Sequence, residues 1–222
     1  MGVQLPRWVW VGALGLSTVA GMVNAVGFLG FEHQGLGHLT GATSQLGIAL
    51  TQAQWITVGH LGGLLLAFFA GATLSGLVIQ DSQLRLGRRY GVMLMIECLL
   101  LVAAAALFSR HHIAGAWLAA AACGIQNALA TTFSGAIVRT THLTGMFTDL
   151  GIGFGHLLRG LPLALRRMGL SALIITGFLA GSLAGAVLFA AWGYAALYVP
   201  AALTGMAGAG YTALASLRRH RP

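Results

Sequence analysis

One short polar motif occurs twice in the sequence, at residues 38–48 and 142–152. The copies read HLTGATSQLGI and HLTGMFTDLGI, and they are identical at seven of eleven positions without a gap. They bring imidazole, hydroxyl, amide and carboxylate groups into a chain that is otherwise very apolar. Such groups can hydrogen-bond a polar solute, and an imidazole or a carboxylate can also carry a proton.

If each copy forms a helix, its polar residues fall on two stripes, because positions i, i+3 and i+7 lie near one face. One stripe joins the histidine, the first glycine and the amide or carboxylate, while the other carries hydroxyls that include those of Ser44 and Thr148. From these copies we predict a shared solute-binding site that contains His38, Thr40, Gly41, Gln45, His142, Thr144, Gly145 and Asp149. The alternative is structural: the hydroxyls bond their own helix, and the glycines permit close helix packing.

Two acids lie inside apolar segments, Asp149 and Glu97. A carboxylate within a membrane helix is by default a functional-site candidate, because burying its charge is costly. We therefore predict that Asp149 binds a proton and couples proton movement to transport. The matching residue of the first copy is Gln45, so this chemistry would be asymmetric. For Glu97, pairing with a neighbouring arginine near a membrane face is an alternative explanation.

Two further amides stand in equivalent places, because the pattern Gly-x-x-Asn-Ala occurs at residues 21–25 and 124–128. A buried amide can disturb a helix, bond a facing helix or hold a solute. We add Asn24 and Asn127 to the predicted solute-binding residues, together with Gln126, which is polar in the second copy only. The structural and the functional explanations both stay open at this point.

The histidines do not form a recognisable metal site. His33 and His38 are separated by a glycine-containing link, and His111 and His112 are adjacent at the edge of an apolar segment. No HxxxH pattern with a supporting carboxylate is present, and neither is a nucleophile elbow, a phosphate-binding loop or a dinucleotide fingerprint. The sequence therefore predicts no metal, no cofactor and no catalytic residue.

The composition is that of an integral membrane protein. Hydrophobic residues make up 57% of the chain and charged residues 7%, whereas a soluble domain has about 25% charged residues. The net charge of +8 comes from arginines between apolar runs, where they are topology signals beside lipid headgroups instead of a nucleic-acid surface. The predicted partners are the lipid bilayer and a small-molecule solute, and glycine-rich helix faces also allow a homo-oligomer.

Eight segments must position the polar residues. They run over Trp8–Phe31, His38–Gln52, Trp55–Ile79, Tyr90–Phe108, Ile113–Ser134, His142–Leu158, Leu170–Trp192 and Tyr194–Leu217, with Arg159, Arg166 and Arg167 in a basic link before the seventh. The last four repeat the order of the first four. Small residues spaced by four also recur, at Ala67, Gly71 and Ser75 and again at Gly177, Gly181 and Gly185. We predict a single membrane domain, 1–222, built from repeat units 7–110 and 111–217.

The arginines predict how the segments cross the membrane. If the two short segments that carry the repeated motif enter and leave on the same side, six helices cross and every arginine except Arg110 lies inside. Eight crossings would place Arg85, Arg88, Arg89 and Arg139 outside. The predicted fold is therefore all-α, with six crossing helices, two short re-entrant or broken helices and both termini inside. Three crossings per unit would invert the second repeat relative to the first.

Nearly the whole chain resembles the YoaK-like family. The resemblance rests on the paired Gly-x-x-Asn-Ala and His-Leu-Thr-Gly motifs and on the Thr-Asp-Leu-Gly that follows the second pair. These are bacterial multi-pass membrane proteins that share a domain of unknown function, so the resemblance implies a bacterial inner-membrane protein. The arginine pattern predicts that both termini are cytoplasmic. The chain departs from the family at Asn24, where an acid is common, and at Ala42, where an asparagine is common. Both departures bear on solute choice or coupling if these positions contact solute.

These observations favour a small-solute secondary transporter or permease-like protein that is coupled to protons. Its site would lie between the two short helices, and solute would be exchanged as the repeat units rock against each other. A passive channel of the same symmetry is the alternative. A membrane-embedded enzyme that uses histidine and Asp149 is a second alternative, and we favour it less than transport.

Overall fold

The computed structural model describes residues 6–30, 35–79, 88–133 and 140–219, and these are helical with no strand. Arg85, Arg139 and His33 lie outside the described residues. The helices are α1 Arg7–Gly30, α2 Leu39–Thr51, α3 Trp55–Val78, α4 Arg88–Phe108, α5 Ala114–Phe133, α6 Leu143–Leu158, α7 Leu165–Trp192 and α8 Tyr198–Arg219, with a 3-10 turn at Gly193–Leu197 before α8. The predicted all-α class is confirmed for this part of the chain.

Most helix ends lie within two residues of the predicted segment ends, but the start of α7 does not. The prediction that Arg166 and Arg167 lie in a link is wrong, because α7 begins at Leu165 and both arginines lie in its first turn. Arginine is a good helix former, so the helix extends back towards Pro162. The predicted last segment also begins differently, since Gly193 has a φ of 57° and starts the 3-10 turn.

Four stretches of the described chain are long and apolar enough to cross a membrane: Trp8–Gly30, Trp55–Val78, Arg88–Phe108 and Leu165–Ala213, the last of which contains α7 and most of α8. Large apolar side chains cover the outside of the bundle, as at Phe69 and Leu77 on α3. By contrast, α2 has 13 residues, about 20 Å at 1.5 Å per residue. It is shorter than the roughly 30 Å of hydrocarbon that a crossing requires.

Close glycine contacts join α1 to α7. A Cβ on Gly21 would collide with the carbonyl oxygen of Phe178, and a Cβ on Gly181 would collide with that of Thr18. The two backbones therefore lie directly against each other, as small residues permit in membrane helices.

The same arrangement joins α3 to α5 at matching positions. A Cβ on Gly124 would collide with the carbonyl oxygen of Phe68, and one on Gly71 would collide with that of Ala121. Thr18 and Ala121 occupy equivalent positions in the two units, because each lies three residues before the glycine of the repeated Gly-x-x-Asn-Ala pattern, at residues 21 and 124. The first helix of each predicted unit thus packs against the third helix of the other.

Helices α4 and α8 cross at two glycines. A Cβ on Gly91 would lie 2.7 Å from the Gly208 carbonyl oxygen and 2.8 Å from Thr212, and a Cβ on Gly208 would lie 3.0 Å from Met95. Later residues of one helix thus meet earlier residues of the other, so α4 and α8 are antiparallel.

The buried apolar residues form two clusters at opposite ends of the bundle. The first takes the C-terminal halves of α1 and α4, the N-terminal halves of α3 and α5, and the start of α8. The second takes the N-terminal halves of α1, α4 and α7 and the C-terminal half of α5. Ala42, near the start of α2, belongs to the first cluster, and Met146, near the start of α6, belongs to the second. The two short helices therefore lie in opposite halves of the bundle.

Candidate functional site

Asn24 fixes the start of α2. Its side chain is buried, with 5% exposed, and its Oδ1 accepts a hydrogen bond of 2.9 Å from the backbone N–H of Gly37. Gly37 directly precedes His38, the N-cap of α2. Asn24 lies about 9 Å before the end of α1, at 1.5 Å per residue. The described chain just before α2 therefore lies alongside α1, and α2 starts inside the bundle instead of at its end.

Asn127 makes the corresponding contact at the start of α6. Its Oδ1 accepts a hydrogen bond of 3.3 Å from the hydroxyl of Thr141, and Thr141 directly precedes His142, the N-cap of α6. Asn127 is half-buried and lies close to the end of α5. The start of α6 is thus held against α5 in the same way as the start of α2 is held against α1.

The two helix starts meet each other. A Cβ on Gly37 would lie 3.4 Å from the methyl carbon of Thr141, 3.6 Å from the amide nitrogen of Asn24 and 3.6 Å from Sγ of Cys123. We call this place the junction and define it by Asn24, Gly37, Cys123, Asn127 and Thr141. It brings together both Gly-x-x-Asn-Ala asparagines and both residues that precede the repeated motif.

The junction is polar and has positive electrostatic character. Helices α2 and α6 both direct their N-termini towards it, and neither N-cap histidine makes a side-chain capping bond. The first N–H groups of a helix have no partner within the helix, and the helix dipole adds partial positive charge there. This arrangement can bind an anion or a strongly polar group through backbone N–H donors and asparagine side chains.

The repeated His-x-x-Gly pattern has a local structural cause. A Cβ on Gly41 would lie 2.9 Å from Cδ2 of His38, and a Cβ on Gly145 would lie 2.5 Å from Cδ2 of His142. Each glycine thus leaves room for the imidazole that folds over the first turn of its own helix. Both histidine side chains are exposed.

Beyond their starts, α2 packs on α3 and α6 packs on α7, and these two short helices do not pack against each other in the described chain. Thr40, Gln45 and Thr144 lie on exposed faces. The hydroxyls of Ser44 and Thr148 donate to the carbonyls of Thr40 and Thr144, at 3.0 and 2.9 Å, which is the structural alternative given for them above. The predicted site residues therefore separate into a central group, Asn24 and Asn127, and outer groups on two faces. A single site that contains all of them stays a prediction.

Asp149 is paired with an arginine. The Arg167 Nε donates to Oδ2 at 2.8 Å and its Nη2 donates to Oδ1 at 2.7 Å, with 69% of Arg167 and 18% of Asp149 exposed. The sequence alone does not predict this partner, because the arginine lies on the next helix at no characteristic spacing. The ion pair gives Asp149 a structural role between α6 and α7. Its coupling role stays a prediction.

The surroundings of Glu97 differ from those of Asp149. It lies in the middle of α4 with 2% of its surface exposed, and no hydrogen-bond partner for its Oε2 is found within the described ranges. The expected pairing with an arginine near a membrane face is therefore wrong: the residue faces the packed interior between α4 and α5. Gln126, on α5, is also buried, and its Nε2 finds no partner in the same ranges.

An apolar cavity of about 680 Å³ lies between α1, α4 and α8. Its walls include Trp8, Leu94, Leu203 and Tyr211, and none of the junction residues lines it. The described residues contain no group of three or more His, Cys, Asp or Glu side chains that could hold a metal ion.

The two asparagines allow a graded test of the junction. We expect Asn24→Ala to cost about 1–3 kcal/mol of unfolding free energy, because it leaves a buried backbone N–H without its acceptor. Asn127→Ala should cost about 0.5–1.5 kcal/mol, because its hydrogen bond is longer and joins a half-buried hydroxyl. Thermal unfolding of both variants in detergent measures the difference. Equal losses would contradict the assignment of Asn24 as the anchor of the turn before α2.

The chain matches, over residues 12–210, the family described as Protein of unknown function (DUF1275). This match confirms the resemblance to the YoaK-like family. A comparison with curated proteins gives no match, and a comparison with solved structures gives none either. The family carries no assigned activity, so function has to be argued from the geometry of the junction. With a match over most of its length, the chain belongs to the DUF1275 family.

Proposed function

We propose that this protein transports a small anionic or strongly polar solute across the membrane through the junction. The observation that carries the proposal is that α2 and α6 lie in opposite halves of the bundle and that their starts meet inside it, at Gly37 and Thr141. Interrupted helices whose N-termini meet near the middle of a membrane are a recurrent way to build a solute site. The proposed place is the bacterial inner membrane.

Six crossings with an inverted second unit are part of this proposal. The antiparallel crossing of α4 and α8 supports it, because eight crossings would make these two helices parallel. The placement of α2 and α6 in opposite halves of the bundle supports it as well. The division into two repeat units is supported by contacts that both units share. In each unit a helix glycine lies against a backbone carbonyl, and an asparagine accepts a hydrogen bond from the residue just before the His-Leu-Thr-Gly motif.

The packing also suggests which parts would move. Because α1 lies backbone to backbone against α7, and α3 against α5, neither pair can slide without collisions at its glycines. We propose that each pair moves as one body and that the two bodies rock about the junction, which opens it to one side and then to the other. The moving bodies are therefore mixed pairs of helices from both units instead of the units themselves.

The orientation can be tested by thiol labelling of intact cells. Position 84 lies between α3 and α4, outside the described residues, and position 164 is the N-cap of α7. Six crossings with cytoplasmic termini place both inside. Cysteines introduced at Leu84 and Ala164 should therefore react with an impermeant maleimide only after permeabilisation. Reaction of either one in intact cells would contradict the proposed orientation.

Transport is tested in proteoliposomes by stopped-flow light scattering, with formate, nitrate, phosphate and glycerol as probes. We expect at least one anion to enter faster than into protein-free liposomes, and faster than glycerol. Accumulation of nitrate or phosphate against a gradient when the lumen is alkaline would identify a coupled transporter, and purely downhill entry would identify a passive channel, the second candidate. If all four probes enter at the protein-free rate, the proposed function fails.

A further inference from the structure

We infer that Glu97 is a proton-binding site at the centre of the membrane and that it couples proton movement to the solute at the junction. The coupling role rests on the proposed function, whereas the proton site itself does not. Sequence analysis assigned this role to Asp149, whose carboxylate the structure pairs with Arg167.

The position of Glu97 favours the protonated form. Met93 and Leu101, one turn away on either side, are fully buried, and Glu97 lies between them on the packed face of α4. A charged carboxylate in such a place is stable only with a cation or several hydrogen-bond donors, and Oε2 has neither within the described chain. The neutral acid avoids this cost, so the group is expected to hold a proton while it is buried.

The titratable groups around Glu97 do not supply a cation. Those in electrostatic range are Tyr90 and Cys98 on α4 and Cys123 on α5. The 3-10 turn and α8 contribute tyrosines as titratable side chains, and one of these, Tyr211, contacts the ring of Tyr90. On α3 the one titratable side chain is that of His60, near the start of the helix. No arginine of the described chain lies among these groups.

Cys123 links this carboxyl group to the junction. Its thiol lies in electrostatic range of Glu97 and also borders Gly37, at 3.6 Å from the position of a Cβ on that residue. A charge at the junction therefore acts on Glu97 through the low-dielectric interior that contains Cys123. An anion bound there repels the carboxylate form and so favours the protonated one. The consequence is that a proton on Glu97 and an anion at the junction stabilise each other, as in a proton–anion symporter.

The proton site can be observed by infrared spectroscopy of the purified protein, with no solute added. The chain has four acids, Glu32, Asp81, Glu97 and Asp149, so few carboxyl groups contribute to the spectrum. We expect the C=O band of a protonated carboxylic acid at neutral pH in wild type and in Asp149→Asn, and its loss in Glu97→Gln. If the band is absent from wild type or persists in Glu97→Gln, the assignment is overturned. Monodisperse elution and an unchanged melting temperature establish that Glu97→Gln is folded.

The coupling role is tested separately with nitrate and phosphate in proteoliposomes, because neither has a neutral form that readily crosses lipid near neutral pH. Glu97→Gln should lose accumulation driven by a pH gradient and keep exchange of labelled phosphate, while Asp149→Asn should keep both. Gradient-driven accumulation by Glu97→Gln would overturn the coupling role. If wild-type protein moves none of the four probes, the proposed function fails together with the coupling role, while the infrared assignment of the proton site stands on its own result.

Discussion

Replacement of Gly71 or Gly181 by leucine should prevent the protein from reaching its folded state. At each position even a Cβ would collide with a backbone carbonyl, that of Ala121 or that of Thr18. Backbone cannot move aside as a flexible side chain can. We therefore expect a cost at or above the roughly 3 kcal/mol that marks the upper range for overpacked cores. The measurement is the monodisperse fraction in detergent, together with the melting temperature.

Gly76→Leu is the matched control on the same helix. No atom lies within 4 Å of a Cβ at Gly76, and the residue is exposed. This variant should elute and melt like wild type, because the leucine side chain extends into the surrounding lipid or detergent. Wild-type behaviour of Gly71→Leu would show that α3 and α5 are not in backbone contact.

Replacement of Gly37 by phenylalanine should block the junction. The new ring would fill the space bordered by Thr141, Asn24 and Cys123, where a Cβ already stands in van der Waals contact. We expect the rate of anion entry into proteoliposomes to fall at least about tenfold, which corresponds to about 1.4 kcal/mol in the barrier.

Two variants separate a block from a loss of folding. Gly37→Ala should fold and transport, because its Cβ has ordinary contact distances of 3.4–3.6 Å. Gly47→Phe places the same ring on the open face of α2, where nothing lies within 4 Å of a Cβ, and it should transport at the wild-type rate. Unchanged entry through Gly37→Phe would place the solute path away from the junction.

Much of the helical framework was predictable from the sequence, since apolar runs separated by glycine and arginine determine where helices of a membrane protein begin and end. The ends of α3 show this: the predicted segment is Trp55–Ile79 and the helix is Trp55–Val78. The start of α7 is not predictable from charge alone, because charged residues often form links, whereas Arg166 and Arg167 are good helix formers and lie in the helix.

The candidate site was predicted only in outline. The sequence identified Asn24 and Asn127 as equivalent, but it could not show that their partners are Gly37 and Thr141, because such contacts depend on how the chain folds back after α1 and α5. The histidine–glycine spacing was also noticed, while its local cause, an imidazole over a Cβ-free turn, needed coordinates.

The two acids in apolar segments show what sequence patterns alone do not predict, namely the surroundings of a side chain. Asp149 and Glu97 looked alike as carboxylates in apolar segments, and only their surroundings distinguish them. One meets an arginine from the next helix, and the other lies in a packed interior with an unpartnered oxygen. Which residue a helix presents to a neighbour depends on packing between distant segments, and a single sequence does not encode this in any simple spacing.

The central claim is that the starts of α2 and α6 meet inside the bundle, and disulfide formation tests it most directly. Cysteines at Gly37 and Thr141, with Cys98 and Cys123 replaced by serine, lie within reach of a disulfide. A protease site in the exposed turn at Arg110 separates the two cysteines after cleavage.

After oxidation in native membranes and cleavage at that turn, the account predicts that the two fragments stay joined until a reductant is added. The control pair, Gly47→Cys with Gly151→Cys, occupies matching positions on the exposed faces of α2 and α6, and its fragments should separate without reductant. If the fragments of the junction pair separate as readily as those of the control pair, the two helix starts do not meet and the account is contradicted.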